Sequence, residues 1–424
     1  MLPSALVLVF STLFPIFTTA SQNPLKPSSK HPWIHKLASI GDSYAAGLGS
    51  GTRIDWSCSR YDQSYPALLH SSPYLGDDPN RTHQFLACSG ADSAMTLDAQ
   101  VPALDDDLDV LTISTGGNDI GLSAILNECI YQFFMAGKEK CEEAMNDAWA
   151  KINDENETYA RFTKLIEAVK PKMGKNGVIY VTGYARFFGT EDELCDNVTW
   201  AVWSHESESS KQYLTLKRRK ALNGMVLAVN SILSKAVQEA GSNVVFIDYD
   251  SHIAENRGRY CESSVQEPDP NRQGLYFYEW RTVDSEENRT ELEQVGDDVR
   301  RGSFEGDTAE MVYKTLRERP ECEFDPEKGF VDKGRVREEG IIGNTIHWML
   351  PDGWKRVFHL RPKAHEIVAG LVLDAIKERS ERINGGGVGD KGRDGAFLRS
   401  LEPSLRQAIL KNPDDDKLQC CRTT

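Results

Sequence analysis

Positive charge is in deficit in this chain: 49 Lys and Arg stand against 64 Asp and Glu, giving a formal net charge of −15 and a pI near 5.2. Phosphate backbones require a basic footprint, so nucleic acid is excluded as an expected partner. The acidic balance reads as solubility. Cys-x-x-Cys spacing is also absent among the nine cysteines. That removes the usual zinc pattern and favours disulfides in an oxidising compartment. No Lys or Arg precedes Lys26, and the apolar stretch from Leu2 to Phe17 is broken by Pro3 and Pro15. It is too short and too interrupted for a membrane span of ~20 residues. No second candidate span follows it, and no internal repeat points to a solenoid.

What is present at the start is an apolar run closed by the small residues Thr18-Thr19-Ala20. Residues 1–20 therefore read as a cleaved secretory signal, with a soluble, extracellular mature protein beginning near Ser21. Four N-x-Thr sequons, at Asn80, Asn156, Asn197 and Asn288, fit a secreted glycoprotein. Sequence proximity pairs Cys58 with Cys88, Cys129 with Cys141, and Cys195 with Cys261, although spacing alone does not determine connectivity. Cys322, Cys420 and Cys421 leave an odd thiol.

Short apolar runs rich in branched residues recur at Leu37–Ile40, Phe85–Cys88, Val110–Ser114, Val178–Thr182 and Val244–Asp248. Such runs read as buried parallel strands. Helical faces lie between and after them. Tyr159, Phe162, Leu165, Ile166 and Val169 make one, and Leu222, Met225, Val226, Val229, Ile232, Leu233 and Val237 another, with Gly241 placed to stop it. A third, Ala364 to Lys377, carries Ile367, Leu371, Val372 and Ile376. Strands alternating with helices predict a three-layer α/β/α domain around a parallel sheet, over about residues 33–380. A charged insertion without clear strands is expected at about 263–340, helical around 308–317, and residues 381–424 read as a flexible tail containing a weak helix over 398–410. The aromatic stretch Leu275-Tyr276-Phe277-Tyr278-Glu279-Trp280 either rims a cleft or, the reading favoured here, anchors the insertion to the core.

The chemistry begins at Gly41-Asp42-Ser43, where an apolar strand delivers a serine onto a turn. Open α/β sheets bind ligands at that edge, although Gly-Asp-Ser alone is equally an ordinary turn. A serine hydroxyl needs a base within hydrogen-bond reach and donors aimed at the oxyanion. Two further strand ends offer such donors: Cys88-Ser89-Gly90-Ala91 supplies the Gly90 amide, and Gly116-Gly117-Asn118-Asp119 supplies the Asn118 side chain.

These blocks resemble the first three blocks of the SGNH (GDSL-type) esterase and lipase family. Cys58-x-x-Tyr61 and Ser64-Tyr65-Pro66 ahead of Cys88 are similar to its secreted, disulfide-containing bacterial and fungal branch. The resemblance covers roughly Lys36 to Lys377, apart from the charged insertion. It implies a flavodoxin-like fold, no metal or other cofactor, and hydrolysis of carboxylic esters through an acyl-enzyme. Ser43 would be the nucleophile, with the Ser43 and Gly90 amides and the Asn118 side chain as the oxyanion hole. Of nine histidines, His359 falls where the family carries its base, just before the last helix; His347 is the reserve and His365 lies inside that helix. The family's usual Asp three residues before the base is replaced here by Arg356. The expected orienting group is therefore the Arg356 main-chain carbonyl, with Asp352 as the side-chain alternative. A monomer acting on a lipid, small-ester or acetylated-glycan substrate follows. Deacetylation of a carbohydrate, phospholipid cleavage and a non-catalytic secreted binding protein remain as alternatives.

Overall fold

The computed structural model describes residues 34–55, 58–76, 78–131, 138–201, 211–279, 282–283, 322–325, 329–332 and 356–384. The signal segment, Asn288, the helix expected over 308–317, His347, Asp352, Cys420, Cys421 and the tail beyond Asn384 lie outside them. The chain divides into two compact units, Met1–Asp374 and Ala375–Thr424. Of the second, the described part is the end of the last helix.

Five parallel strands form the sheet of the first unit: β1 (Lys36–Gly41), β4 (Thr82–Phe85), β5 (Leu108–Ser114), β6 (Met173–Thr182) and β7 (Val244–Ile247), in the order β4-β1-β5-β6-β7. The three-layer α/β/α expectation holds for this flanked sheet. Two short strands between β1 and β4, β2 (Arg53–Asp55) and β3 (Arg60–Tyr61), make a separate antiparallel ladder. Central β1 and β5 are nearly continuously buried, as strands covered on both faces must be.

The strand expected over Phe85–Cys88 lies three residues earlier. Leu86 and Ala87 both donate to the Ser39 carbonyl, so the ladder breaks there and Cys88 turns in to donate to Gly41. A second correction falls in the charged insertion, expected to be strand-free. There β8 (Cys322–Asp325) and β9 (Gly329–Asp332) pair antiparallel. Their charged residues carry little apolar signal, which is why periodicity passes over them.

Helix α1 (Ser43–Ala46) follows β1, and α2 (Tyr65–His70), capped by Ser64, follows β3. Next come α3 (Lys138–Asn153), α4 (Ala160–Val169), α5 (Leu216–Ala240) and α6 (Pro362–Asn384). The predicted apolar faces are the buried ones in α4 and α5, apart from half-buried Tyr159 and Ile232, and α5 ends at Gly241, which adopts a positive φ of 107°. In α6 the buried residues of the first unit are Ala364, His365, Val368, Ala369 and Val372, whereas Ile367 and Leu371 are only half-buried. Disulfides join Cys58 to Cys88, Cys129 to Cys141 and Cys195 to Cys261. Asn80, Asn156 and Asn197 are exposed. Among the described residues no helix is long and apolar enough to cross a membrane.

Candidate active site

The serine turn is dictated by its glycine. Gly41 has φ +125°, and a Cβ there would sit 1.9 Å from the Ser114 carbonyl oxygen, so β1 can end against β5 only with glycine. Asp42 then donates its amide to Ser114 at 2.8 Å and caps α1 by accepting the Tyr44 amide at 2.9 Å. Ser43 opens the helix, largely buried, at the carboxyl edge of the central strand.

His359 approaches from more than 300 residues away, with Nε2 2.6 Å from Ser43 Oγ. Its loop is a hydrogen-bonded turn in which the His359 amide donates to the Arg356 carbonyl at 2.8 Å. Phe358, the third residue of that turn, has φ +66°, a position that favours glycine. Packing holds it there. The Phe358 ring lies against Phe187, Phe188, Trp200 and Tyr260, its amide donates to Tyr278 and its carbonyl accepts the Tyr44 hydroxyl at 2.7 Å. The strain is stored beside His359, and such outliers gather at functional sites.

The turn brings a different carbonyl to the ring from the one expected. The Arg356 carbonyl takes the His359 backbone amide, and Nδ1 lies 3.2 Å from the Val357 carbonyl instead. The left-handed Phe358 rotates the preceding peptide and brings Val357 O, rather than Arg356 O, to the ring. An acceptor at Nδ1 keeps the proton on that nitrogen and leaves Nε2 free to accept from Ser43. The Arg356 side chain, fully buried, donates to Thr282 and lies over the Tyr278 ring, 4.2 Å from its centroid.

Leu275 and residues 277–279 are buried, and what this stretch holds is the histidine loop. Tyr278 donates its amide to the His359 carbonyl and its hydroxyl to Gly49, and Arg361 donates its amide to Tyr276. His365 is a packing residue: its Nδ1 accepts the Tyr65 amide at 3.2 Å, and burial, then neighbouring His359, lower its pKa to about 3.

The other two blocks follow the strands on either side of β1. Cys88, bonded to Cys58, places Gly90 after β4, and Ser89 donates to the Cys58 carbonyl. Asn118 follows β5 and donates one Nδ2 hydrogen to the Ala91 carbonyl at 2.9 Å. An amide nitrogen carries two hydrogens, so a second remains for a ligand oxygen. Asp119 accepts the amide and the hydroxyl of Ser93, binding the third block to the second; burial is the main cause raising its pKa.

Tyr184 is the site residue that motif reading misses. Its hydroxyl donates to Asp42 Oδ2 at 2.5 Å and accepts the Gly117 amide at 3.0 Å. Asp42 Oδ1 also accepts the Ser114 hydroxyl at 3.1 Å, and burial raises the Asp42 pKa to about 6 against the lowering effect of these donors. The available signal was positional: Tyr184 lies two residues beyond β6, the fourth strand to end at this edge.

A sequence profile of the GDSL-like lipase/acylhydrolase family matches residues 39–274, more than half of the chain. The chain belongs to this family. Among its relatives, a lipase of Streptomyces rimosus is 28% identical over 204 residues, covering 48% of this chain and 66% of the relative. Lipase 1 of Streptomyces coelicolor is 29% identical over 151 residues, covering 35% and 52%. The chain thus spans under two thirds of the length of these curated relatives. Solved structures to which the chain is similar include an extracellular lipase from Streptomyces rimosus, at 24% identity, 56% coverage of this chain and 89% of that one, with a TM-score of 0.43. A phospholipase A1 from Streptomyces albidoflavus shows 24% identity, 53% and 83% coverage, and a TM-score of 0.42. Within this GDSL-type chain, Ser43, Gly90 and Asn118 stand at the ends of three adjacent strands, β1, β4 and β5, with His359 brought against Ser43.

Proposed function

We propose that this chain is a secreted serine ester hydrolase that works through an acyl-enzyme on Ser43. The observation that carries the reading is the 2.6 Å contact between Ser43 Oγ and His359 Nε2, with the far nitrogen of the ring against a carbonyl. His359 Nε2 takes the hydroxyl proton as Oγ attacks the ester carbonyl. The Ser43 and Gly90 amides and the Asn118 side chain hold the tetrahedral oxyanion. Collapse expels the alcohol with the proton from His359, and water, activated by the same nitrogen, then releases the acid. The Val357 carbonyl at Nδ1 helps to fix the tautomer that leaves Nε2 to accept from Ser43. Three disulfides, exposed sequon asparagines at 80, 156 and 197, and the apolar residues 1–20 support secretion as a glycoprotein.

Peptide mass spectrometry after fluorophosphonate treatment of the secreted protein tests the reading. The expected result is a single adduct on Ser43 that disappears in His359→Ala. Folded wild-type protein that takes up no adduct would leave the fold to a binding role.

A further inference from the structure

Where β4 ends, a side chain takes its place beside β1. The β1–β4 register closes with Ser39 opposite Phe85, so Gly41 stands beyond that ladder. Its amide donates instead to Gln100 Oε1 at 2.7 Å, and its carbonyl accepts Gln100 Nε2 at 2.9 Å and the Cys88 amide at 2.9 Å. A side-chain amide offers one donor face and one acceptor, as a peptide group does, so buried Gln100 extends the sheet edge with no strand behind it.

The segment that carries Gln100 is bonded to the site at both ends. Asp92 caps its first turn by accepting the Met95 amide at 2.7 Å, and Ser93 donates its amide and hydroxyl to Asp119 of the third block. Thr96–Gln100 then form a π-helical turn, a wide geometry that recurs at functional sites. Two other side-chain amides make the same pair of bonds, Asn223 with Phe188 and Asn230 with Tyr184. Of the three, Gln100 is the one that grips the residue two before Ser43.

We infer that Gln100 is a positioning residue for Ser43: its amide fixes the Gly41 peptide, and with it the place of the Ser43 hydroxyl against His359 Nε2 and the direction of the Ser43 amide. This rests on the reading of Ser43 and His359 as an esterolytic pair, and adds a residue that acts on the pair through Gly41. The two groups stand 2.6 Å apart, and a misplacement of about 1 Å in such a pair costs roughly a hundredfold in rate. Without Gln100 the buried Gly41 amide has lost its acceptor, while the carbonyl keeps Cys88 and the Asp42 amide keeps Ser114. The turn then keeps its place in the fold but not the bond that fixes the Gly41 peptide.

The test is kcat and KM on p-nitrophenyl acetate for the full-length wild type, Gln100→Met, Gln100→Glu and Asn223→Leu. The end point of fluorophosphonate labelling on Ser43 counts the folded sites, so kcat is expressed per labelled site and loss of folded protein drops out. Gln100→Met, which keeps the shape of the side chain and removes both bonds, should lower kcat per site at least tenfold with KM within about threefold of wild type. Asn223→Leu removes the same two bonds from Phe188 and should lose at least fivefold less. In Gln100→Glu the carboxyl, its pKa raised by burial, donates to the Gly41 carbonyl only when neutral. Its kcat relative to wild type should therefore rise at least threefold from pH 8 to pH 5.5, a change that loss of packing alone does not produce. A Ser43 adduct in the wild type together with equal losses in Gln100→Met and Asn223→Leu, a loss that falls on KM, or a flat ratio in Gln100→Glu overturns the role of Gln100 and leaves the catalytic reading standing. No adduct and no turnover in folded wild-type protein overturns both.

Discussion

The Tyr184 hydroxyl donates to Asp42 at 2.5 Å while accepting the Gly117 amide at 3.0 Å, so one side chain ties the residue before Ser43 to the residue before Asn118. Ser43 and Asn118, the proposed nucleophile and oxyanion donor, sit on separate strand ends, and this shared hydroxyl helps to set their spacing. An oxyanion hole works only when its donors already stand where charge develops. In Tyr184→Phe the ring remains but Gly117 loses its acceptor, a buried backbone donor left unpaired at a cost of about 1–3 kcal/mol. Turnover is expected to fall about tenfold or more with KM changed far less, and the thermal midpoint to drop by several degrees. Steady-state kinetics beside calorimetry check both, and an unchanged kcat would remove Tyr184 from the positioning of the site.

In the proposed mechanism Asn118 offers its second amide hydrogen to the oxyanion. Asn118→Ala should cost roughly 3 kcal/mol in the barrier, about a hundredfold in kcat, by the measure of other single oxyanion donors. Because the side chain is half-buried and makes one bond to Ala91, unfolding by urea should change by only about 1 kcal/mol. Full activity in the variant would show that the donor lies elsewhere.

The Cys58–Cys88 bridge closes a 30-residue separation and sits two residues before Gly90. Chain entropy alone gives such a loop about 3–4 kcal/mol. The double variant Cys58→Ser, Cys88→Ser is therefore expected to unfold at markedly lower urea, and to lose kcat beyond what stability explains, because Ser89 is also hydrogen-bonded to Cys58. Replacing Cys129 and Cys141, neither adjacent in sequence to Ser43, Gly90 or Asn118, should affect stability but spare kcat. Equal kinetic losses in both double variants would separate Gly90 from the effect of the bridge.

Strand-end chemistry was legible because glycine, serine and asparagine sit immediately after strong apolar runs, and the sheet carries them to one edge. The positions of Ser43, Gly90 and Asn118 follow from that pattern. Residues that join the blocks left no such trace: Tyr184 and Ser93 look like any loop residue until the sheet folds. The Val357 carbonyl at His359 Nδ1 was not legible because the left-handed conformation of Phe358 is imposed by distant rings, by the Tyr44 hydroxyl on its carbonyl and by the Tyr278 backbone. No local rule predicts a phenylalanine at positive φ. The shift of β4 has a similar origin, since its limit is set by where Cys88 meets Gly41 rather than by its own apolar content.

Asp42 and His365 should bend the pH dependence of stability in opposite directions. Burial raises Asp42 to about 6 from an ordinary 3.8, so between those values the folded chain binds more protons than the unfolded one, and stability rises as pH falls. Burial lowers His365 to about 3 from 6.5; there the unfolded chain binds more protons, and stability falls with pH. The first effect is worth roughly 3 kcal/mol in total and the second roughly 5 kcal/mol. From pH 6 to 4 they oppose each other. Asp42→Asn keeps an oxygen for Tyr44 and Ser114 but does not titrate, so relative to wild type it should lose stability as pH drops through this window. His365→Asn keeps an acceptor for the Tyr65 amide but carries no ring to protonate, and should gain relative stability over the same range. Urea midpoints of the three proteins at pH 4, 5, 6 and 7 measure the two slopes. Parallel curves would mean that neither group titrates away from its ordinary value, and that the burial of the Asp42–Tyr184 pair is looser than its hydrogen bonds require.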